Sequence, residues 1–380
     1  MTSTRRFCLP LRTLFAIAAL FCAAFLSHPG AAVSAPAIPP QSSLGVCSAI
    51  LYDLDRDAIL FEQNADQHIP PASLTKIMSM FLAMDQINSG LAHIDDTTTI
   101  SRNAARTGGS RMGLNENEQV TIDQLLTGMA VSSGNDASTA MAEYVGGSVP
   151  AFINMMNAKA RDLGMRDSNF VNPHGLPAKG QYTTARDMLT LARAYLHAYP
   201  DVLRFHNTHV LNYRGRVTWN KNPLLGQYPG ADGLKTGWIN ASGYNLVFTA
   251  LKGDKRLLAV IMGAPDSQIR SIEAFRLLDA GFEVCNNEAP TVLAALDTLP
   301  RDKYHPDIRK NAREAYHQFA GNDRSEGAPT VHRAKATNHS KQAKATKTAR
   351  NKKKNVEKVA RQRGNDNDGQ AARRVANNAS

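Results

Sequence analysis

A lysine at position 76 opens an apolar run, Ile77, Met78, Met80, Phe81, Leu82, Ala83 and Met84, broken only by Ser79. Placed at 100° per residue, Thr75, Ser79 and Gln86 share one narrow polar strip, and Ser73 and Lys76 lie off it. A helix that is apolar on most faces is an interior helix. The spacing therefore predicts a buried helix over residues 73–87, entered through Pro70 and Pro71 and ended by Asn88–Gly90. A buried ammonium is costly unless it is paired or neutralised. Lys76 follows Ser73 by three residues, which puts the two on one face of a helix. Burial and a helix N-terminus both disfavour a cation there, so a neutral Lys76 could take the proton of Ser73. Taken alone, the pair reads as readily as an ion-paired lysine beside a helix-capping serine.

The periodicity changes along the chain. "VCSAILYDLDRDAILFEQ" holds two apolar runs around an acidic turn, a hairpin pattern. Residues 121–197 read as helices: Thr121 and Gln124 form a capping-box pattern, Gly164 stops a helix over 151–163, and Thr184 caps another. "GLKTGW", "GYNLVFTALK" and "KRLLAVIMGA" then read as strands, the last two joined by a tight turn and so antiparallel. A final amphipathic helix is expected over 266–284. Strands at both ends and helices between them predict one antiparallel sheet beside a helical insertion.

Three short motifs occur in order: Ser73-Leu74-Thr75-Lys76, Ser133-Gly134-Asn135 and Lys235-Thr236-Gly237. Their contexts are a helix start, a loop between helices and a strand. This set is the signature of β-lactamases and penicillin-binding proteins. Over residues 44–288 the chain resembles the low-molecular-mass penicillin-binding proteins, the serine D-alanyl-D-alanine carboxypeptidases, through "PASLTKIM", "SSGNDAS", "NPHGLPAKGQYTTARDM" and "DGLKTGW".

That resemblance implies an α/β (α+β) fold of the β-lactamase/transpeptidase type, a five-stranded antiparallel sheet flanked by helices with an all-helical subdomain. It implies that Ser73 is the nucleophile, Lys76 its base and Ser133 a proton relay. Asn135 would hold Lys76 and the substrate backbone, and Gly134 would permit an unusual loop turn. Lys235, Thr236 and Arg270 would receive the substrate carboxylate, and Gly237 would let its backbone approach. The oxyanion hole would be the backbone N–H groups of Ser73 and Trp238, and Trp238 is bulkier than the family's usual residue there. His174-Gly175 reads as structural. The implied activity is removal of the terminal D-alanine from peptidoglycan stem peptides through an acyl-enzyme, with β-lactams as inhibitors and neither cofactor nor metal. A D,D-endopeptidase that opens cross-links stands beside it, as does a wall-binding protein without catalysis. A β-lactamase is disfavoured because no glutamate is placed for deacylation.

Charge and termini complete the organisation. Residues 321–380 carry fifteen Lys or Arg against five Asp or Glu, so nearly all of the chain's +11 belongs to this tail. It has almost no aromatics and is expected to be disordered. It could engage an anionic envelope polymer or a membrane surface, or simply keep the protein soluble. Nucleic acid is not the expected partner, although "KQAKATKTARNKKK" resembles histone-like repeats. Arg5, Arg6 and Arg12 precede thirteen apolar residues, "LFAIAALFCAAFL", the pattern of an export signal with cleavage after Ala37. The expected divisions are 1–37 signal, 38–290 peptidase domain, 291–320 short helical extension and 321–380 basic tail, with a location in the periplasm or cell envelope. Outside the signal only Cys47 and Cys285 remain, a pair that could bridge in an oxidising compartment or stand as two small buried side chains.

Overall fold

The computed structural model describes residues 43–307 together with 309, 310, 313 and 317. The export signal and the basic tail expected from the sequence lie outside them.

In chain order the strands are β1 (Ser48–Asp53), β2 (Ala58–Gln63), β3 (Thr97–Thr99), β4 (Gln119–Thr121), β5 (Val210–Tyr213), β6 (Arg216–Trp219), β7 (Ala231–Ile239), β8 (Gly243–Lys252) and β9 (Lys255–Ala264). The helices are α1 (Thr75–Asn88), α2 (Arg102–Arg106), α3 (Ile122–Ala130), α4 (Asn135–Gly146), α5 (Val149–Asp162), α6 (Ala185–Ala198), α7 (Leu203–His206), α8 (Ser267–Cys285) and α9 (Val292–Thr298). Five strands form one antiparallel sheet in the order β2-β1-β9-β8-β7. The N-terminal hairpin thus pairs through β1 with the last strand, β9, for example Ile50 opposite Val260. The expected sheet, with a helical region between its two halves of sequence, is what forms. That region also contains two short ribbons, β3–β4 and β5–β6, which the sequence reading passed over. Strands of three or four residues are too short to show a period.

The sheet is buried on both faces, and strand alternation sorts its side chains. Leu258, Val260 and Met262 of β9 face a core shared with α1, α3, α4 and α6. Leu257, Ala259 and Ile261 face a second core under α8. Near-continuous apolar strands follow from this double burial. The second core also takes in Val292, Ala295, Leu296, Leu299 and Tyr304, from the start of the stretch expected as an extension. Glu273 of α8 is fully buried, bonded to Arg276 at 2.6 Å and to Arg301, and accepts from Gly45 N at 3.0 Å. Arg301 in turn donates to Ser43 O at 2.8 Å, so both ends of the described chain meet on one carboxylate.

Cys47 and Cys285 do not pair. Cys47 is exposed and contacts Gly263 O at 3.2 Å. Cys285 is buried against Asp53 at 3.3 Å, and burial with that carboxylate pushes its thiol up to about 11. Among the described residues no helix is long and apolar enough to cross a membrane.

Phe248, in β8, is fully buried between the sheet and α8. Truncation to alanine removes its contacts and leaves a cavity. Phe248→Ala is expected to lower unfolding free energy by about 3–5 kcal/mol in urea titrations.

Candidate active site

The site is built where the start of α1, the loop before α4, the loop at 172–176 and strand β7 converge. Ser73 lies in a 3₁₀ turn (Ala72–Leu74) that leads into α1, rather than in the helix itself. Ala72 has φ +49°, a left-handed conformation that non-glycine residues adopt at a cost. Its carbonyl accepts from Thr75 Oγ1 at 2.8 Å, which helps hold the turn. The polar strip of α1 therefore faces inward. Ser79 Oγ on the same strip donates to Pro173 O at 2.6 Å, and Ser138 Oγ of α4 meets that same carbonyl at 2.6 Å.

Lys76 is fully buried. Its Nζ lies 3.0 Å from Ser73 Oγ, 2.7 Å from Asn135 Oδ1 and 2.7 Å from His174 O. The other end of the Asn135 amide donates to Gly108 O at 2.7 Å, which fixes the oxygen toward the lysine. Asn135 Oδ1 and His174 O can only accept. In the neutral amine two N–H bonds go to these oxygens and the lone pair is left for the Ser73 hydroxyl; in the ammonium all three oxygens accept. Burial, reinforced by the charges of Lys235 and Lys221, holds the Lys76 amine well below the usual lysine range.

Asn135 is the first residue of α4 and does not cap it; Gly134 is the N-cap, without a side-chain bond. The left-handed residue of this loop is Ser133, with φ +54°, and not Gly134 as expected. Gly134 is needed for room instead. A Cβ there would stand 2.9 Å from Asp136 Oδ1 and 3.1 Å from Met112 N. Asp136, unremarked in the sequence, is completely buried and accepts from the backbone N–H groups of Met112, Gly113, Leu114 and Ala137 at 2.8–3.1 Å. It fastens the loop at 108–114 to the start of α4. His174-Gly175 also does more than fill space. The His174 carbonyl holds Lys76, and Gly175, at φ +90°, passes so close that a Cβ would lie 1.7 Å from Ala72 O.

Strand β7 is an edge of the sheet. Its carbonyls at Gly233 and Leu234 are occupied by Asn222 Nδ2 and His206 Nδ1, each at 3.0 Å. At Gly237 a Cβ would come within 3.2 Å of Ser73 N, so the strand abuts the serine turn there. A cavity of about 330 Å³ opens in front, lined by Ser73, Ser133, Thr236, Gly237, Trp238 and Arg270 among others. Lys235 is buried behind it and donates to Thr236 O at 3.1 Å. Burial and the neighbouring cations Lys221 and Arg270 lower the Lys235 amine to about 7. Arg270 is buried, its Nε has no hydrogen-bond partner, and burial lowers it to about 10. Lys221, Ser110, Trp219, Tyr244 and Ser267 also line the cavity. None of these five belongs to a motif, and no spacing pointed to them. All nine residues singled out in the sequence lie at this one place, and no carboxylate lines the cavity among the described residues.

A dry lysine against a serine, beside the edge of an antiparallel sheet, is the arrangement of the serine–lysine penicillin-binding class. The sequence profile described as D-alanyl-D-alanine carboxypeptidase (peptidase S11) matches residues 33–266, and the chain belongs to that family. It is 38% identical over 240 residues to D-alanyl-D-alanine carboxypeptidase DacF of Bacillus subtilis (strain 168), covering 62% of this chain and 61% of that relative. The chain thus spans about three-fifths of the length of that curated relative. The fold is similar to penicillin binding protein 5 from Haemophilus influenzae (TM-score 0.62, 35% identity, 64% of this chain and 72% of that one). It is also similar to penicillin-binding protein D2 from Listeria monocytogenes in its ampicillin-bound form (TM-score 0.59, 28% identity, 64% and 100%).

Asn135→Asp would place a carboxylate 2.7 Å from Lys76 Nζ with little change of shape. The charged amine would then be favoured. NMR titration of the Lys76 side chain is expected to move to higher pH by about 1–3 pH units in this variant.

Proposed function

We propose that the protein is a serine D,D-carboxypeptidase that removes the terminal D-alanine from peptidoglycan stem peptides and is acylated by β-lactams. The observation that carries this reading is the amine of Lys76, fully buried with its Nζ 3.0 Å from Ser73 Oγ. Family membership and the β-lactam complex of a similar fold support it.

The reaction runs in two halves. Ser73 Oγ attacks the carbonyl between the two D-alanines while Lys76 takes its proton. The C–N bond breaks as the ester forms, and the proton reaches the leaving amine through Ser133, which lines the same cavity. Water then attacks the ester as Lys76 takes its proton; the acyl C–Oγ bond breaks, Lys76 returns that proton to Ser73 Oγ, and the shortened peptide leaves as a carboxylate, its acid proton going to solvent. The backbone N–H groups of Ser73 and Trp238 receive the oxyanion, each worth on the order of 100–1,000-fold in rate. Lys235, Thr236 and Arg270 bind the substrate's terminal carboxylate; the unsatisfied Nε of Arg270 suits an anionic ligand. Asn135 steadies Lys76 and the substrate backbone. Gly237 keeps the strand edge bare for the substrate. Among the described residues no carboxylate lines the cavity as a second water-activating base beside Lys76, so a β-lactam ester is long-lived.

The substrate places the activity outside the cytoplasm, in the periplasm or cell envelope, in keeping with an export signal over 1–37 and a peptidase domain over 38–290. The basic tail at 321–380 would hold the enzyme near anionic envelope polymers or a membrane surface.

Fluorescent penicillin is expected to label the wild type stoichiometrically and to leave Ser73→Ala unlabelled; a labelled alanine variant overturns the assignment. In a digest of purified muropeptides, free D-alanine is the expected product. Separated dimers without D-alanine would instead mark an endopeptidase.

The pH profile has a defined sign. Lys76 must be neutral to act, so kcat/KM rises with pH through its lowered titration. Lys235 must be charged to bind the carboxylate, so kcat/KM falls as that amine, lowered to about 7 in the free site, loses its proton. Lys235→Arg keeps the charge and is expected to move the falling limb to higher pH while leaving the rising limb in place.

A further inference from the structure

Ser133 lines the reactive cavity from a left-handed backbone, φ +54°, which a serine keeps only where its surroundings impose it. One torsion separates that backbone from the hydroxyl, so the backbone sets the few places the Oγ can reach. Three bonds hold the turn. Gly134 N donates to Gly128 O at 3.0 Å and Asn135 N donates to Ser110 O at 2.7 Å. The third involves the residue just before Ser133: the buried Ser132 meets Thr218 of β6 hydroxyl to hydroxyl, at 2.8 Å. This bond alone reaches Ser132 from outside the helical segment, from the short β5–β6 ribbon. The ribbon is anchored in its turn. Tyr213 and Arg214 both bond Glu118, and Asn220 Nδ2 donates to His206 O and Thr208 O at 2.9 and 3.1 Å. Arg216 lies so close over Gly113 that a Cβ there would stand 3.1 Å from its Nη1, in the loop that supplies Ser110 O. The ribbon therefore grips both segments that hold the Ser133 turn. Thr218 itself does not line the cavity.

We propose that Thr218 is a positioning residue: through Ser132 it aims the Ser133 hydroxyl at the leaving group of the acylation step. The inference rests on the D,D-peptidase reading and adds the residue that supports its proton relay. In that step Ser73 Oγ bonds the carbonyl carbon and its proton goes to Lys76. As the C–N bond breaks, its electron pair stays on nitrogen. The nitrogen takes the Ser133 proton while Ser133 takes one from Lys76, so the amine leaves neutral and both residues are restored. An amide nitrogen is too basic to leave without that proton. A thioester differs only here: its sulfur departs with the C–S electron pair as a thiolate, and Lys76 returns its proton to solvent. A misaimed Ser133 therefore slows amides and spares thioesters.

Two substrates separate the cases, a stem pentapeptide ending in D-alanyl-D-alanine and the thioester in which thioglycolate replaces its last residue. They share the acyl group and the terminal carboxylate. Thr218→Val keeps the shape and removes the hydroxyl. It is expected to lower kcat/KM for the amide about 10-fold and for the thioester less than about 3-fold. Ser132→Ala breaks the same bond from its other end and is expected to give the same ratio, and Thr218→Ser restores the amide rate. Ser133→Ala loses about 100-fold on the amide, and adding Thr218→Val to it costs nothing more. Equal losses on amide and thioester, an unchanged amide rate, or a further loss in the double variant overturns the proposal. If wild-type Ser73 takes fluorescent penicillin in that event, the D,D-peptidase reading stands; a wild type that takes none overturns both.

Discussion

An amine kept out of water is the constraint around which the rest of this protein is arranged. A lysine in solvent is a cation and cannot accept a proton. Lys76 is pushed away from that state, because burial and the charges of Lys235 and Lys221 hold its amine well below the usual lysine range. No carboxylate touches it. The nearest influence of that kind, Asp136, spends its oxygens on four backbone N–H groups and on Arg111 at 3.5 Å. Had the loop been held by some other device and Asp136 turned to Lys76, the amine would be stabilised as an ammonium and lost as a base. The oxygens of that carboxylate are thus taken by the backbone; its charge still raises the Lys76 amine, but burial and the charges of Lys235 and Lys221 outweigh it.

Such an arrangement needs a stiff frame, because three chain segments far apart in sequence must meet within hydrogen-bond distance of one nitrogen. The sheet supplies it. Both faces of β8 and β9 are packed into separate cores, so the edge strand β7 is backed by layers that cannot shift independently. Along β7 itself the outer edge is divided. Asn222 and His206 take the carbonyls of Gly233 and Leu234, and the stretch from Lys235 to Gly237 is left to face the cavity. His206 is buried and its imidazole is lowered to about 3 by that burial, so it remains a neutral, fixed donor across the working range. A partner strand can then pair only where the serine turn lies alongside.

Much of this was legible in the sequence, and for identifiable reasons. Periodicity located the sheet strands and the long helices, since Lys255–Ala264 and Thr75–Asn88 bury their side chains in patterns that composition records. The motifs marked Ser73, Lys76, Ser133, Asn135 and Lys235 because each motif lies within one short stretch, at or beside a regular element, where spacing in sequence is kept in space. What stayed hidden depends on contacts between distant residues. Trp219 ends a four-residue strand with no detectable period and Lys221 follows it; long-range bonds, from Thr218 to Ser132 and from Asn222 to Gly233, bring them to the cavity. The use of the His174 carbonyl is a main-chain property, which no side chain advertises. The left-handed turn at Ser133 was assigned to its glycine neighbour because glycine is the usual occupant of that conformation; crowding by Asp136 and Met112, invisible in one dimension, explains the glycine instead.

The same charge economy that frees Lys76 also shapes what the cavity will accept. Burial lowers Lys235, Lys221 and Arg270, Lys235 is lowered further by its two cationic neighbours, and no carboxylate lines the cavity among the described residues. A bound carboxylate removes that tension, so the anionic end of a ligand supplies the counter-charge that the protein withholds. On the proposed reading, affinity for the terminal carboxylate and reactivity of the serine are two consequences of one feature, a cavity wall that among the described residues holds no acidic side chain. Adding a carboxylate to relieve the cations would stabilise the empty protein. It would also compete for the site, raise the lysines back toward the solvent range and remove the base. The strain of the empty cavity is a condition of its chemistry, as expected where electrostatic complementarity is aimed at the ligand rather than at the resting protein.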